Sequence, residues 1–239
     1  MGHVTVVGGC RAKAPLTGIL ASTLPVGSVV KLMEGGAAVE YLVVNQGIPS
    51  NSSLYDSSCD GTWLLRKDIH SSRQWNTSNM NNYASSVINT WLNGDFFNSL
   101  GSIEKATIKS VKLPYVNGTG GSAVASGANG LAVQIFLLSG YEMGWTQSTN
   151  SYFPIDGACL SYFSGLSQID SKRIAYLNGT ATLWWLRSPQ TSSTSIVWSV
   201  FSNGGLDSNY GASYSHGIRP ALILPSTAKF DATTMLLKG

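Results

Sequence analysis

The sequence predicts an α+β domain. Three observations carry that reading: two capped helical segments between residues 85 and 111, several short β-rich runs on either side of them, and long irregular connections rich in Gly, Ser and Asn. No repeat at solenoid or propeller period is present.

Taken in order, residues 1–22 are rich in Gly, Ala and Thr with weak periodicity, and read as an N-terminal arm or attachment segment ahead of a domain over residues 23–239. Val4, Val6 and Val7 stand in that arm at near-strand spacing, which suits an edge that pairs with a neighbouring subunit. LPVGSVVKL from Leu24 predicts a strand entered by a turn at Pro25-Val26-Gly27. Ala37–Gln46 predicts a second, with β-formers at Tyr41–Val44, and Trp63–Arg66 a third. In SSVINTWLNGDFFNSL, Ser85 or Ser86 can cap a helix, and Val87, Ile88, Trp91 and Leu92 share one face of it until Gly94 ends or bends it. SIEKATIKSV predicts a second, short helix capped by Ser102. The Gly-rich run Asn117–Gly130 contains part of a phosphate-loop pattern, but no strand leads in and no apolar helix leaves, so it reads as a surface loop. Further strands are expected in QIFLLSGYEMG as far as Ser139 and in WWLRS. A hairpin turning at Asn203-Gly204 and a closing strand, ALILP, follow.

Composition narrows the function classes. The chain has 239 residues, 43% of them hydrophobic and 11% charged, with a net charge of +3. So low a charged fraction leaves solubility to Ser, Thr, Asn and Gly. No run of Lys and Arg can track a phosphate backbone, and no apolar run has the length of a membrane span, so neither nucleic acid nor membrane insertion is expected. The N-terminus lacks the order of a signal peptide. Cys10, Cys59 and Cys159 are isolated, which argues against a disulfide framework and a zinc knot.

A search for catalytic chemistry returns little. His3, His70 and His216 have no metal-ligand spacing, no G-x-S-x-G elbow accompanies the many serines, and the aspartates form no calcium loop. Glu142 follows a very apolar run and could act as a buried acid. A bidentate pair with Arg187 or Arg219, each set in a tight motif, is the better reading. No enzyme, cofactor or metal is expected.

What remains is the segment Gln190–His216. Eight of its 27 residues are Ser, its aromatics include Phe201, Tyr210 and Tyr214, and Asp207 is its single formal charge. Ser, Tyr, Asn and Gly together are the composition of an antibody paratope: Tyr supplies broad contact at low entropic cost, and Ser and Asn supply adaptable hydrogen bonds. On Ile196–Ser202, strand alternation places Trp198 with Ile196 and Val200 on a buried side, and Ser199 and Phe201 on the other. The binding face then comprises Ser193, Ser195, Ser199, Phe201, Asp207, Asn209, Tyr210, Ser213, Tyr214 and His216.

The flanks of this segment, WLRSP at Trp185–Pro189 and GIRPAL at Gly217–Leu222, carry a resemblance. With WLLRKDI (Trp63–Ile69), SRQW (Ser72–Trp75), TWLNGDF (Thr90–Phe96) and FLLSGYE (Phe136–Glu142) in order, the chain resembles the C-type-lectin-like variable proteins of diversity-generating retroelements. The resemblance implies a C-type-lectin-like fold and a stretch before GIRPAL that is rewritten at adenines. It also implies a phage tail or receptor-binding component in the virion, or a bacterial surface protein, that attaches to a host-surface protein or glycan. Its arm would contact virion proteins in a homo-oligomer. Randomised AAC or AAT codons cannot yield Trp, Gln, Met, Lys or Glu. From Gln190 to His216 only Gln190 and Trp198 fall outside the reachable set, so Trp198 reads as fixed scaffold. The lectin signatures Glu-Pro-Asn and Gln-Pro-Asp are missing, so neither calcium nor sugar follows from the fold. A structural virion protein without ligand, or an enzyme on the same fold, are the alternatives.

Overall fold

The computed structural model describes residues 18–50 and 52–239. Ten strands form two five-stranded sheets: β1 (Val29–Glu34), β2 (Ala37–Gln46), β3 (Thr62–Arg66), β4 (Ser71–Gln74), β5 (Ile135–Phe136), β6 (Trp184–Pro189), β7 (Val197–Val200), β8 (Leu206–Asp207), β9 (Ser215–Ile218) and β10 (Ala221–Leu224). The first sheet runs β5-β10-β3-β2-β1 and is antiparallel throughout. The second runs β8-β7-β6-β9-β4, with one parallel pair, β6 beside β9.

The β1–β2 hairpin turns through Gly35-Gly36, both at positive φ (58° and 82°), as a tight two-residue connection requires. Alternation then sorts the central strands between two cores. Tyr41, Val43, Leu64, Leu222 and Leu224 enter one; Leu42, Val44, Trp63, Leu65, Ala221 and Ile223 enter the other. The second sheet straddles the same cores, with Trp185, Val197 and Ile218 on the first side and Trp184, Leu186, Trp198 and Val200 on the second. Strands buried on both faces read as continuous apolar runs, as WWLRSP and ALIL do.

One helix of several turns crosses the first core. This helix, α1, consists of an α-helical turn Val87–Trp91, a π-helical turn Leu92–Phe96 and a last α turn Phe97–Ser99. Ser86 caps it, its Oγ accepting the Asn89 N–H at 3.2 Å. Ile88, Leu92 and Phe96 are buried, whereas Val87 is 37% exposed, so the helix's inward stripe is narrower than sequence period suggested. The π turn has a use. It aims Asn93 at the start of β5, where Oδ1 accepts the amides of Gln134 and Ile135 and Nδ2 donates to the Ile135 carbonyl.

The expectation of an α+β, C-type-lectin-like fold with two helices is corrected here. The chain is mostly β: 33% of the described residues lie in strands, 16% are helical, and the strands fall into several small sheets. The second expected helix is only the six-residue α2 (Ser102–Thr107), N-capped by Gly101 with no side-chain cap, so Ser102 does not cap it. Its β-branched continuation turns extended at Ile108 and enters the strand Val111–Leu113, paired with Leu131–Val133. The strand expected as far as Ser139 is also shorter. After Phe136 the run leaves the ladder because side chains satisfy its backbone: Tyr83 Oη accepts the Leu137 N–H, and Arg187 donates to the Leu137 carbonyl.

Most of the arm, residues 1–17 with Val4, Val6 and Val7, lies outside the described residues. From Gly18 the chain is part of the domain: Gly18–Leu20 pairs antiparallel with Lys229–Asp231, and Ala21 is buried. Among the described residues no helix is long and apolar enough to cross a membrane.

Candidate functional site

The segment Gln190–His216 begins where β6 ends and returns to the sheet as β9. Its two flanks are fixed by arginines. In WLRSP, Arg187 is 1% exposed, and all five of its N–H donors are used. Nη1 and Nη2 meet the Glu142 carboxylate at 2.6 and 2.7 Å; the remaining protons go to the carbonyls of Pro114, Leu137 and Asp156. Glu142, fully buried, is completed by the Tyr55 hydroxyl and the Ser139 amide. The bidentate pair expected from sequence is therefore present, with Arg187 as the partner. Glu142 lines none of the clefts described below. Arg219, in GIRP, is equally buried but hydrogen-bonds to the backbone carbonyls of Arg66 and Lys67 and lies over the Trp184 ring. Gly217 is Gly because β9 is crowded there: a Cβ would stand 2.7 Å from Ile69 Cδ1 and 2.9 Å from the Leu183 carbonyl oxygen.

Asp156 lies in the same buried network, accepting from the Ser188 hydroxyl at 2.8 Å while its Oδ1 has no hydrogen-bond partner among the described residues. Burial pushes its carboxyl up to about 7. Between the ordinary aspartate value, about 3.9, and about 7 the folded chain holds a proton that the unfolded chain has released. Stability contributed here therefore falls as pH rises through that window, then levels off. Asp156→Asn is expected to remove up to about 1.4 kcal/mol per pH unit of this slope, read as the difference between the two urea midpoints across pH; parallel profiles would contradict it.

The hairpin turns as expected, with the Phe201 N–H donating to the Gly205 carbonyl. Gly204 has φ +83° and sits 2.1 Å, measured from a built Cβ, from the Asp170 carbonyl oxygen, so no side chain fits. Of the ten expected face residues, Phe201 (43% exposed), Asn209 and Tyr214 (56%) are exposed, and Ser193, Ser195, Tyr210, Ser213 and His216 are half-buried. Ser199 and Asp207 are corrections. Both are buried, because the sheet is covered on both faces; Ser199 pairs opposite Asp207, and its hydroxyl donates to the Asp207 carboxylate at 3.1 Å. Trp198 is scaffold as read, stacked on Phe153 at 4.3 Å.

The exposed groups fall in two places. Phe201 and Asn209 line a cleft of about 530 Å³ together with Ile169, Trp198, Asn203 and Asp207. Ile169 is 59% exposed, and among the described residues the buried Trp198 Nε1–H has no acceptor and no Lys or Arg lines the cleft. Tyr210, Tyr214 and His216 form an aromatic cluster seated on Trp185, the His216 ring lying 4.4 Å from Tyr210 and 4.5 Å from Trp185. Burial lowers the His216 pKa, which favours the neutral ring at this cluster.

Sequence reasoning missed the residues that hold the segment's backbone. Asn81, fully buried, donates from Nδ2 to the carbonyls of Ser193 and Ile196 at 2.9 Å each, and its Oδ1 accepts the Thr119 N–H at 2.7 Å. Gln74 donates to the Ser213 carbonyl, and the Asn76 amide to that of Ala212. Within the segment, Ser193 is an exception to free display: its hydroxyl accepts the amides of Ser195 and Ile196. Cys59 is buried with its thiol pushed up to about 12 by burial, and Cys159 is half-buried; both are free. No cluster of His, Cys, Asp and Glu among the described residues could hold a metal ion.

A family model described as a domain of unknown function, DUF6273, matches residues 60–226, which include strands β3 to β10 and the whole segment. No curated protein and no solved structure matches the chain.

Proposed function

The chain belongs to this DUF6273 family, and from the geometry of its C-terminal segment we propose that it is a non-catalytic binding protein whose Gln190–His216 face contacts a protein or glycan on a host surface. The observation that carries the reading is a division of labour. The segment's backbone is held by side chains outside it, chiefly Asn81 and Gln74, and its flank by the saturated Arg187. The exposed side chains Phe201, Asn209 and Tyr214 meanwhile project from that backbone, and Asn209 and Tyr214 make their contacts, to Asp207 and to Tyr210 and His216, within the segment itself. A loop built this way can change side chains at little cost to the fold, as a paratope does.

The motif resemblance to retroelement-diversified proteins supports the finer proposal that the face is diversified and carried on a phage particle, where repetition in a homo-oligomer adds avidity. The experiment that tests it is a comparison of nucleotide sequences. A near-copy of the codons for Gln190–His216, differing only at adenines and lying near a reverse transcriptase gene, is the expected result. Natural variants of this chain that differ mainly outside Gln190–His216, with no such copy beside the gene, would contradict diversification.

A further inference from the structure

A second cleft, of about 400 Å³ and sharing no residue with the first, is lined by Lys67, Asp68, Tyr162, Lys172, Tyr176 and Arg219 among others. Its chemistry is the reverse of the first. Arg219 is 1% exposed, yet no carboxylate among the described residues hydrogen-bonds to it. Two backbone carbonyls take its Nε and Nη2 protons, the Trp184 ring lies 5.0 Å from its Cζ, and Nη1 has no acceptor among the described residues. The other two buried guanidinium groups differ from it: Arg187 has every donor filled and its charge matched by a carboxylate, and Arg173, which meets only carbonyls and the Trp145 ring, leaves no nitrogen buried without a partner among the described residues. A buried cation without a counter-charge is costly, and the cost is relieved when a ligand supplies the charge. Burial, the largest influence, leaves the Arg219 pKa lowered to about 10, so the group stays cationic at neutral pH.

The neighbours add to the sign. Lys172 is exposed, lies over the Tyr162 ring at 5.3 Å and forms no ion pair among the described residues. Lys67 is matched by Glu40 at 2.7 Å, so it adds no net charge. Asp68 acts on Arg219 through its field without a hydrogen bond, which leaves two uncommitted cations against one carboxylate. Tyr162 and the 45%-exposed Tyr176 give the cleft aromatic surface beside the charge.

We propose that this cleft binds an oxyanion of the phosphate or sulfate type, held by Arg219 Nη1 and the Lys172 ammonium. A tetrahedral oxyanion accepts from both cations at once, and the charge-assisted bonds are the strong class. The site does not depend on the display reading.

The test is a titration of the full chain with inorganic phosphate replacing chloride at fixed ionic strength, followed by amide and Arg Nε–H chemical shifts. Saturable shifts are expected at Ser171, Lys172, Tyr176 and the Arg219 side chain. Lys172→Ala should weaken binding about tenfold, equivalent to about 1.4 kcal/mol, and Lys229→Ala, an exposed lysine outside the cleft, should leave it unchanged. Arg219→Lys should abolish saturation; if that variant fails to fold, Lys172→Ala with Tyr176→Ala carries the test, since both positions are exposed. Comparison with glucose 6-phosphate separates the sources: tighter binding assigns a phosphorylated sugar, equal binding the free ion, and both support the site. Absence of saturation in the parent, or equal affinity in the parent and Lys172→Ala, would overturn it.

Discussion

Replacing Glu142 by Gln is expected to cost about 3–5 kcal/mol of stability, because it leaves Arg187 buried without its counter-charge. Urea denaturation of the folded chain measures this directly. A buried pair can often be exchanged for apolar residues at no loss. This pair should behave differently, because it also serves backbone groups. Arg187 satisfies the carbonyls of Pro114, Leu137 and Asp156, and Glu142 satisfies the Ser139 amide and the Tyr55 hydroxyl. The double variant Glu142→Met with Arg187→Met is therefore expected to be no more stable than Glu142→Gln, since each stranded buried group costs about 1–3 kcal/mol. Recovery of parental stability in the double variant would show that the network holds nothing beyond itself.

The second large effect is expected at Asn81. Asn81→Ala removes three hydrogen bonds: the carbonyls of Ser193 and Ile196 are left with one donor each, the Gly120 and Gln190 amides, and the Thr119 amide loses its acceptor. At about 1 kcal/mol for each lost bond, the loss should be about 3 kcal/mol. Its signature is local as well as global: hydrogen exchange should accelerate first at Ser195 and Ile196, whose amides donate to the Ser193 hydroxyl in the turn that Asn81 anchors. A loss below about 1 kcal/mol, with exchange unchanged, would mean that the segment's backbone stands by its own bonds.

These two residues mark the limit of what was legible in the sequence. The Glu142–Arg187 pair was readable because a lone glutamate after FLLSG and an arginine inside WLRSP have few other uses in so apolar a setting. The strands β2, β3 and β6 and the turn at Gly204 were readable for a local reason too: β-formers, then a residue whose backbone no side chain tolerates. Asn81 was not, because it stands in a run of Asn, Ser and Met without periodicity, and its partners lie 38 to 115 residues away. Ser199 was misplaced for a related reason. Alternation tells which residues share a face, but whether the second face of a strand is covered depends on tertiary packing. The helical content was overestimated because SIEKATIKSV has enough helical period for a few turns, while its β-branched end is taken by a strand pairing with residues some twenty positions on.

The central claim is that Gln190–His216 is a held backbone carrying exchangeable side chains. The measurement that tests it most directly is the folded fraction, by protease resistance, of two libraries of the full chain. One is randomised at Phe201, Asn209 and Tyr214, and the other at Val197, Trp198 and Val200. Most members of the first should fold with melting temperatures near the parent's, since exposed substitutions away from caps and cores usually cost within about 0.5 kcal/mol, and few of the second should fold. A first library that folds as rarely as the second would contradict the account.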